Sequence, residues 1–166
     1  MVTGRNVARE DEAMRPNTAL YETDFYTWCL STAKLIREGK WYDLDPEALA
    51  EEIESLGKSQ KRELEHRFEV LVMHLLKWCY QPQRREDSHS WYDTIREQRS
   101  QLARLLRDNP GLQSQLPMVL IEGYADARLR AIGETHLLAT LFPPTCPWTA
   151  TQVLDAAFWP EDKRNS

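Results

Sequence analysis

Four polar side chains, Glu52, His74, Gln98 and Arg128, lie on or beside stripes that are otherwise apolar at helical spacing. At about 100° per residue, Glu52 falls about 60° from the axis of Leu49, Ile53 and Leu56, while Glu51 and Glu54 point outward. His74 flanks its apolar arc on the side of Trp78 and Arg67. Gln98 sits mid-stripe with Arg99 at the rim, and Arg128 lies between Tyr124, Ala125 and Ile132. Burying such groups costs several kcal/mol unless they find partners. The simplest expectation is that they find one another, with Glu52 the natural acceptor for a guanidinium that cannot be neutralised.

That set admits two uses. In the leading one, a buried Glu52–Arg128 pair, hydrogen-bonded by Gln98, Tyr124 and His74, fixes how helices register. In the alternative, Glu52 and His74 act as acid and base in a cleft where Arg128 holds an anion, with Gln98, Arg99 and Tyr124 as ligand contacts. No Ser or Cys stands in an elbow or dyad motif, so no nucleophile is signalled.

Other constellations read more plainly. Glu63 and His66 form one ExxH at i, i+3, the spacing di-iron bundles use on two helices, but His66 lies almost opposite the core face. A solvated surface pair accounts for it. His89 and His136 are isolated near helix ends, so no metal or cofactor is expected. Arg84, Arg85, Arg96, Arg99, Arg104 and Arg107 cluster near Trp91 and Tyr92, a combination able to contact phosphates and stack bases. Glu86, Asp87, Asp93 and Glu97 interleave them, and the net charge is −5. A solvated face with local ion pairs fits better than nucleic-acid binding, although an acidic protein partner could dock there.

The elements that must position these groups are helical. Thr23 is the expected N-cap of a first helix carrying Phe25, Trp28, Cys29, Thr32 and Ile36, stopped by Gly39. Asp45 caps the next, with Pro46 at its first position and Leu44 and Leu49 spaced as a hydrophobic staple. Gly57 predicts a kink or short break. From Lys58 to Tyr80, Leu64, Phe68, Leu71, Val72, Leu75 and Cys79 stay in phase, and Pro82 ends the run. Ser90 opens a fourth helix with Asp93 in a capping box, and Asn109-Pro110-Gly111 stops it. Ile121 to Thr135 form the fifth, where Gly123 and Gly133 each imply a bend or a close backbone approach. The FPPTCPW segment cannot be helical. Thr149 caps a last short helix, with Gln152 at N3 and Trp148 placed to staple onto Val153. Trp28, Trp41, Trp78 and Trp91 read as core residues, and Trp159 as an anchor for the tail.

The 166 residues, 42% hydrophobic with six Trp, suit one folded domain. Cys29, Cys79 and Cys146 form no CxxC pair and suit reduced thiols in a cytosol. No apolar run approaches the roughly 18–20 residues of a membrane span, and no signal-peptide core is evident. The expected organisation is a tail over 1–17, a single all-α bundle of five or six helices over 18–160, and a short tail over 161–166.

YETDFYTW (Tyr21 to Trp28), LAEEIESLG (Leu49 to Gly57), HLLKW (His74 to Trp78), SWYDTIREQR (Ser90 to Arg99), GYADAR (Gly123 to Arg128) and FPPTCPWT (Phe142 to Thr149) together resemble a bacterial family common in cyanobacteria, domain of unknown function family twenty-nine. The resemblance implies a predominantly helical fold and assigns no activity or site residue. The expectation is a cytoplasmic, non-enzymatic interaction or regulatory module, with a small-molecule enzyme or ligand-binding protein as the alternative. Leftover apolar surface on the second helix would suit a homodimer.

Overall fold

The computed structural model describes residues 16–85 and 89–163. They form six α-helices joined by short 3-10 turns, with no strand among the described residues. The helices are α1 (Pro16–Thr23), α2 (Phe25–Arg37), α3 (Pro46–Tyr80), α4 (His89–Asp108), α5 (Leu116–Thr135) and α6 (Ala150–Leu154). The chain divides into two compact units, the first ending at Lys58 and the second starting at Ser59. No helix among the described residues is long and apolar enough to cross a membrane.

In the first unit, α1 occupies residues assigned above to a tail and a cap. Residues 1–15 lie outside the described residues, but Pro16 and Asn17 are helical. Asn17 is buried, donating from Nδ2 to Thr32 Oγ1 at 2.8 Å and accepting from Ser31 Oγ at 2.6 Å. Tertiary bonds to α2 therefore hold a helix too short to persist alone. Thr23 ends α1 instead of capping α2. The cap is Asp24, whose carboxylate accepts from the Thr27 amide at 3.0 Å. Gly39, at φ +69°, closes α2 as expected: its amide reaches the Ile36 carbonyl, and the Lys40 amide reaches Leu35.

Asp45 caps α3 through the Ala48 amide at 3.1 Å. The break expected at Gly57 does not occur, and α3 runs for 35 residues. One glycine costs a helix about 1 kcal/mol, which the flanking turns absorb without breaking.

In the second unit the stripe of α3 disappears from solvent: Leu64, Phe68, Leu71, Val72, Leu75 and Leu76 are fully buried. Ile95 and Leu102 from α4, Val119, Ala127 and Ala131 from α5, and Phe142 and Val153 from the C-terminal part complete the core. Ser90 is already inside α4 rather than its cap, its carbonyl accepting from Thr94 Oγ1 at 2.7 Å. α5 begins at Leu116 with Pro117 in its first turn, earlier than the Ile121 expected, because proline is tolerated where its missing N–H has no helical partner. A Cβ on Gly123 would meet the Glu69 backbone nitrogen at 3.8 Å, so that glycine marks a close approach of α3 and α5. The capping box of Thr149 and Gln152 forms as expected.

Trp28 and Trp91 are buried, and Trp78 packs partly buried on the core. Trp41 is not a core residue: it is 64% exposed on the turn after α2.

Candidate functional site

Each unit engages its polar candidates by itself. Glu52, half-buried in the first unit, accepts the Tyr21 hydroxyl at 2.8 Å. That bond pushes the tyrosine up to about 12, with partial burial and the carboxylate charge adding to it. Tyr21 also packs on Trp28, with ring centroids 4.9 Å apart. Nothing local in the sequence signals this role of Tyr21, because its partner lies on another helix.

The remaining candidates belong to the second unit. His74 holds its Nδ1 at 2.8 Å from the Val70 carbonyl, which assigns the proton to that nitrogen. Burial lowers its pKa below the usual imidazole value, the carbonyl contact only partly offsetting this. Gln98 is half-buried, its Oε1 within 3.4 Å of Arg67 Nη1. Tyr124 is buried and donates to the Pro143 carbonyl at 2.6 Å. Burial raises its pKa well above the ordinary phenol value. Arg128 donates from Nε to the Phe142 carbonyl at 3.1 Å and from Nη2 to the Ala139 carbonyl at 2.8 Å.

Arg128 thus bonds to backbone, where a Glu52 carboxylate was expected. Tyr124 and Arg128, one turn apart on α5, both grip the proline-containing stretch that follows it. A segment with prolines and no regular ladder leaves carbonyls without amide partners, and these two side chains supply the donors. The same use recurs further along the chain. Arg85 donates to the Trp78 carbonyl and to the Asp162 carboxylate, and the Cys79 thiol donates to the Glu161 carbonyl at 3.0 Å.

The two side chains on α4 exchange the roles expected of them. Gln98 was read as central and Arg99 as peripheral, yet Arg99 is only 4% exposed. It follows Ile95 by four residues and precedes Leu102 by three, so it lies in the buried seam. Its Nε donates to the Val153 carbonyl at 2.9 Å and its Nη2 to the Phe158 carbonyl at 2.8 Å. Nη1 is buried without a hydrogen-bond partner among the described residues. Arg99 also lines a cleft of about 350 Å³ with Tyr92, Arg96, Ser100, Leu154 and Trp159. Trp159, expected as an anchor, stacks on Tyr92 at 5.1 Å and 10° and packs on Trp78 at 4.7 Å. The signal for this cleft was available in part: residues 92, 96, 99 and 100 follow the i, i+4, i+7, i+8 pattern of one helix face.

Glu63 pairs with Arg67 at 2.8 Å, leaving His66 exposed. Among the described residues no group of three or more His, Cys, Asp or Glu is placed to hold a metal. Of the arginine cluster, Arg85 stacks on Trp78 and Arg96 on Tyr92, at 4.6 and 5.5 Å from the ring centroids, and Arg107 pairs with Asp108. The His89 side chain and residues 86–88, with Glu86 and Asp87 among them, lie outside the described residues.

The surface of the first unit is unusually apolar. Phe25, Tyr26 and Leu30 on α2, Trp41 and Tyr42 on the following turn, and Ile53 and Leu56 on α3 are all exposed. Residues 53–58 of α3 are all exposed.

No curated protein and no solved structure matches the chain. A family model does: it covers residues 20–159, and the chain belongs to the family described as domain of unknown function DUF29.

Proposed function

We propose that the protein is a non-enzymatic cytoplasmic interaction module whose first unit pairs with a second copy of this chain along α3. The observation that carries this reading is the exposed apolar face of that helix: Ile53 is 61% and Leu56 68% exposed, one turn apart. Leu49 shares their face, and Ala50 and Gly57 lie beside it. Small residues next to a leucine–isoleucine seam let a second helix approach closely. A helix segment exposed all round gains little from its own chain, so a partner is the ordinary source of its stability.

Charge order favours a second copy in antiparallel orientation. Glu51 and Glu54 precede the seam's end and Lys58 follows it. An antiparallel copy sets acidic turns against the basic one, whereas a parallel copy sets like against like. In this reading Glu52, Gln98, Tyr124 and Arg128 are structural groups that hold each unit in shape. Support comes from their bonds, which go to Tyr21, Arg67 and backbone carbonyls instead of converging on one cleft. The three free cysteines suit a reducing cytoplasm.

Sedimentation velocity tests the pairing. The parent chain is expected to be dimeric in the micromolar range, and Leu56→Glu to dissociate about 100-fold more readily, losing by circular dichroism no more helix than the exposed middle of α3 holds. A monomeric parent, or a dimer indifferent to Leu56→Glu, overturns the reading.

A further inference from the structure

Arg99 presents an unsolved accounting problem in the second unit. It cannot shed its charge, it is almost fully buried, and its only hydrogen-bond acceptors among the described residues are the Val153 and Phe158 carbonyls. No carboxylate among the described residues lies within ion-pair distance of it. The nearest acidic influence is Asp155, whose Oδ1 is already engaged by the Ala157 amide at 2.9 Å. The Trp159 ring, 5.4 Å from the guanidinium carbon, offers a π face but no proton acceptor. Nη1 is left with nothing, and a buried cationic donor left unpaired is costly enough to call for a ligand.

The cleft that Arg99 lines supplies the place for one. Its volume of about 350 Å³ is at the small end of ligand sites. A second positive charge stands at its mouth, Arg96, held over the Tyr92 ring. The Ser100 hydroxyl is close by on the same helix face. The rest of the wall is apolar and flat, with Trp159 stacked on Tyr92 and Leu154 alongside. Among the described residues no carboxylate lines the cleft itself; Asp93 and Glu97 border Arg96 in an adjoining groove.

The geometry points to this cleft as a binding site for a small organic anion with a flat, apolar body, such as an aryl carboxylate. The carboxylate takes Nη1 of Arg99 and the guanidinium of Arg96, while the ring lies along Trp159 and Leu154. Nη1 is shielded from solvent, so an anion reaches it only with a side-chain rotamer change in the cleft wall, where Arg96 is exposed. The site lies wholly in the second unit and does not depend on the pairing of the first.

The test is titration calorimetry of the full chain with benzoate, alongside benzyl alcohol, which keeps the ring without the charge, and acetate, which keeps the charge without the ring. Saturable benzoate binding is expected, about tenfold or more tighter than either control, since one charge-assisted hydrogen bond is worth about that factor. Arg96→Gln, at an exposed position, should weaken benzoate about tenfold, and Ala103→Phe, exposed on the same cleft wall, should abolish it. Both are expected to melt with the parent, so loss of binding is not loss of fold. Absence of saturable benzoate binding overturns the site. So does benzyl alcohol binding as tightly as benzoate, or benzoate binding unaffected by both Arg96→Gln and Ala103→Phe.

Discussion

The two units solve the same helical problem differently. In the second, the stripe from Leu64 to Leu76 has no exposure at all, covered by α4, α5 and the C-terminal part. In the first, the buried hydrophobics among the described residues are Trp28, Leu44 and Ala48, and seven large apolar side chains from Phe25 to Leu56 face outward. The apolar periodicity is similar in both. Burial follows from how many elements are available to cover a stripe, not from the stripe itself.

Their polar groups differ in parallel. The first unit satisfies side chains with side chains: Asn17 with Thr32 and Ser31, Tyr21 with Glu52, Thr18 with Asp45. The second commits Arg99, Arg128, Tyr124 and Cys79 to carbonyls of the irregular C-terminal part, while Arg67, Arg107 and Arg130 pair with carboxylates. Where a chain leaves helix without forming a ladder, its carbonyls recruit donors from the helices beneath them.

Substitutions put this contrast to the test. The largest expected effect is in the closed core: Phe68→Ala should cost about 3–5 kcal/mol by urea denaturation. Leu30→Ala, exposed on α2, should stay within about 0.5 kcal/mol. A Leu30 cost comparable to that of Phe68 would erase the distinction between the units.

Next come the carbonyl clamps. Arg128→Met should destabilise by about 1–3 kcal/mol, since the Phe142 and Ala139 carbonyls lose a donor. Tyr124→Phe should cost about 1 kcal/mol, and the double variant less than the sum, because both residues hold one segment. Strict additivity would mean that they do not act on the same stretch.

A pH effect follows from His74. Its folded pKa is lowered by burial, so below the unfolded value of about 6.5 the unfolded chain binds the proton first. His74 therefore costs no stability above that pH. Stability falls as the pH drops below it, until the folded state is also protonated. Melting temperatures of the parent and of His74→Gln should diverge over that acidic window, the parent losing more.

The smallest effects compare two helix glycines. A Cβ on Gly57 or Gly133 meets nothing within 4 Å among the described residues. Gly133→Ala should then stabilise by about 0.5–1 kcal/mol. Under the proposed pairing along α3, Gly57→Ala should yield less in the parent and the full amount in the Leu56→Glu background. Equal gains at both positions in the parent would argue that nothing packs on Gly57.

Much of this molecule was legible before any tertiary structure. Apolar phase at 3.6 residues located the cores of α2 through α5. Capping chemistry placed the start of α3 at Asp45 and that of α6 at Thr149, and Gly39 closed α2, because these signals act within one helical turn. Polar residues on apolar stripes were legible as well. Their partners were not. α1 depends on Asn17 meeting Thr32 from another helix, and the buried place of Arg99 depends on a C-terminal segment that covers it.

The all-α class, the apolar phase of each helix and most of the polar groups in need of partners follow from the sequence, through local periodicity and the cost of desolvation. That Glu52 serves a tyrosine, that Arg128 serves two carbonyls, and that Arg99 rather than Gln98 is buried beside a cleft depend on how the helices and the C-terminal part meet. A hydrogen-bond donor is satisfied by any well-placed oxygen. Which oxygen is well placed depends on residues tens of positions away, and above all on a segment whose prolines leave it no regular pattern to read.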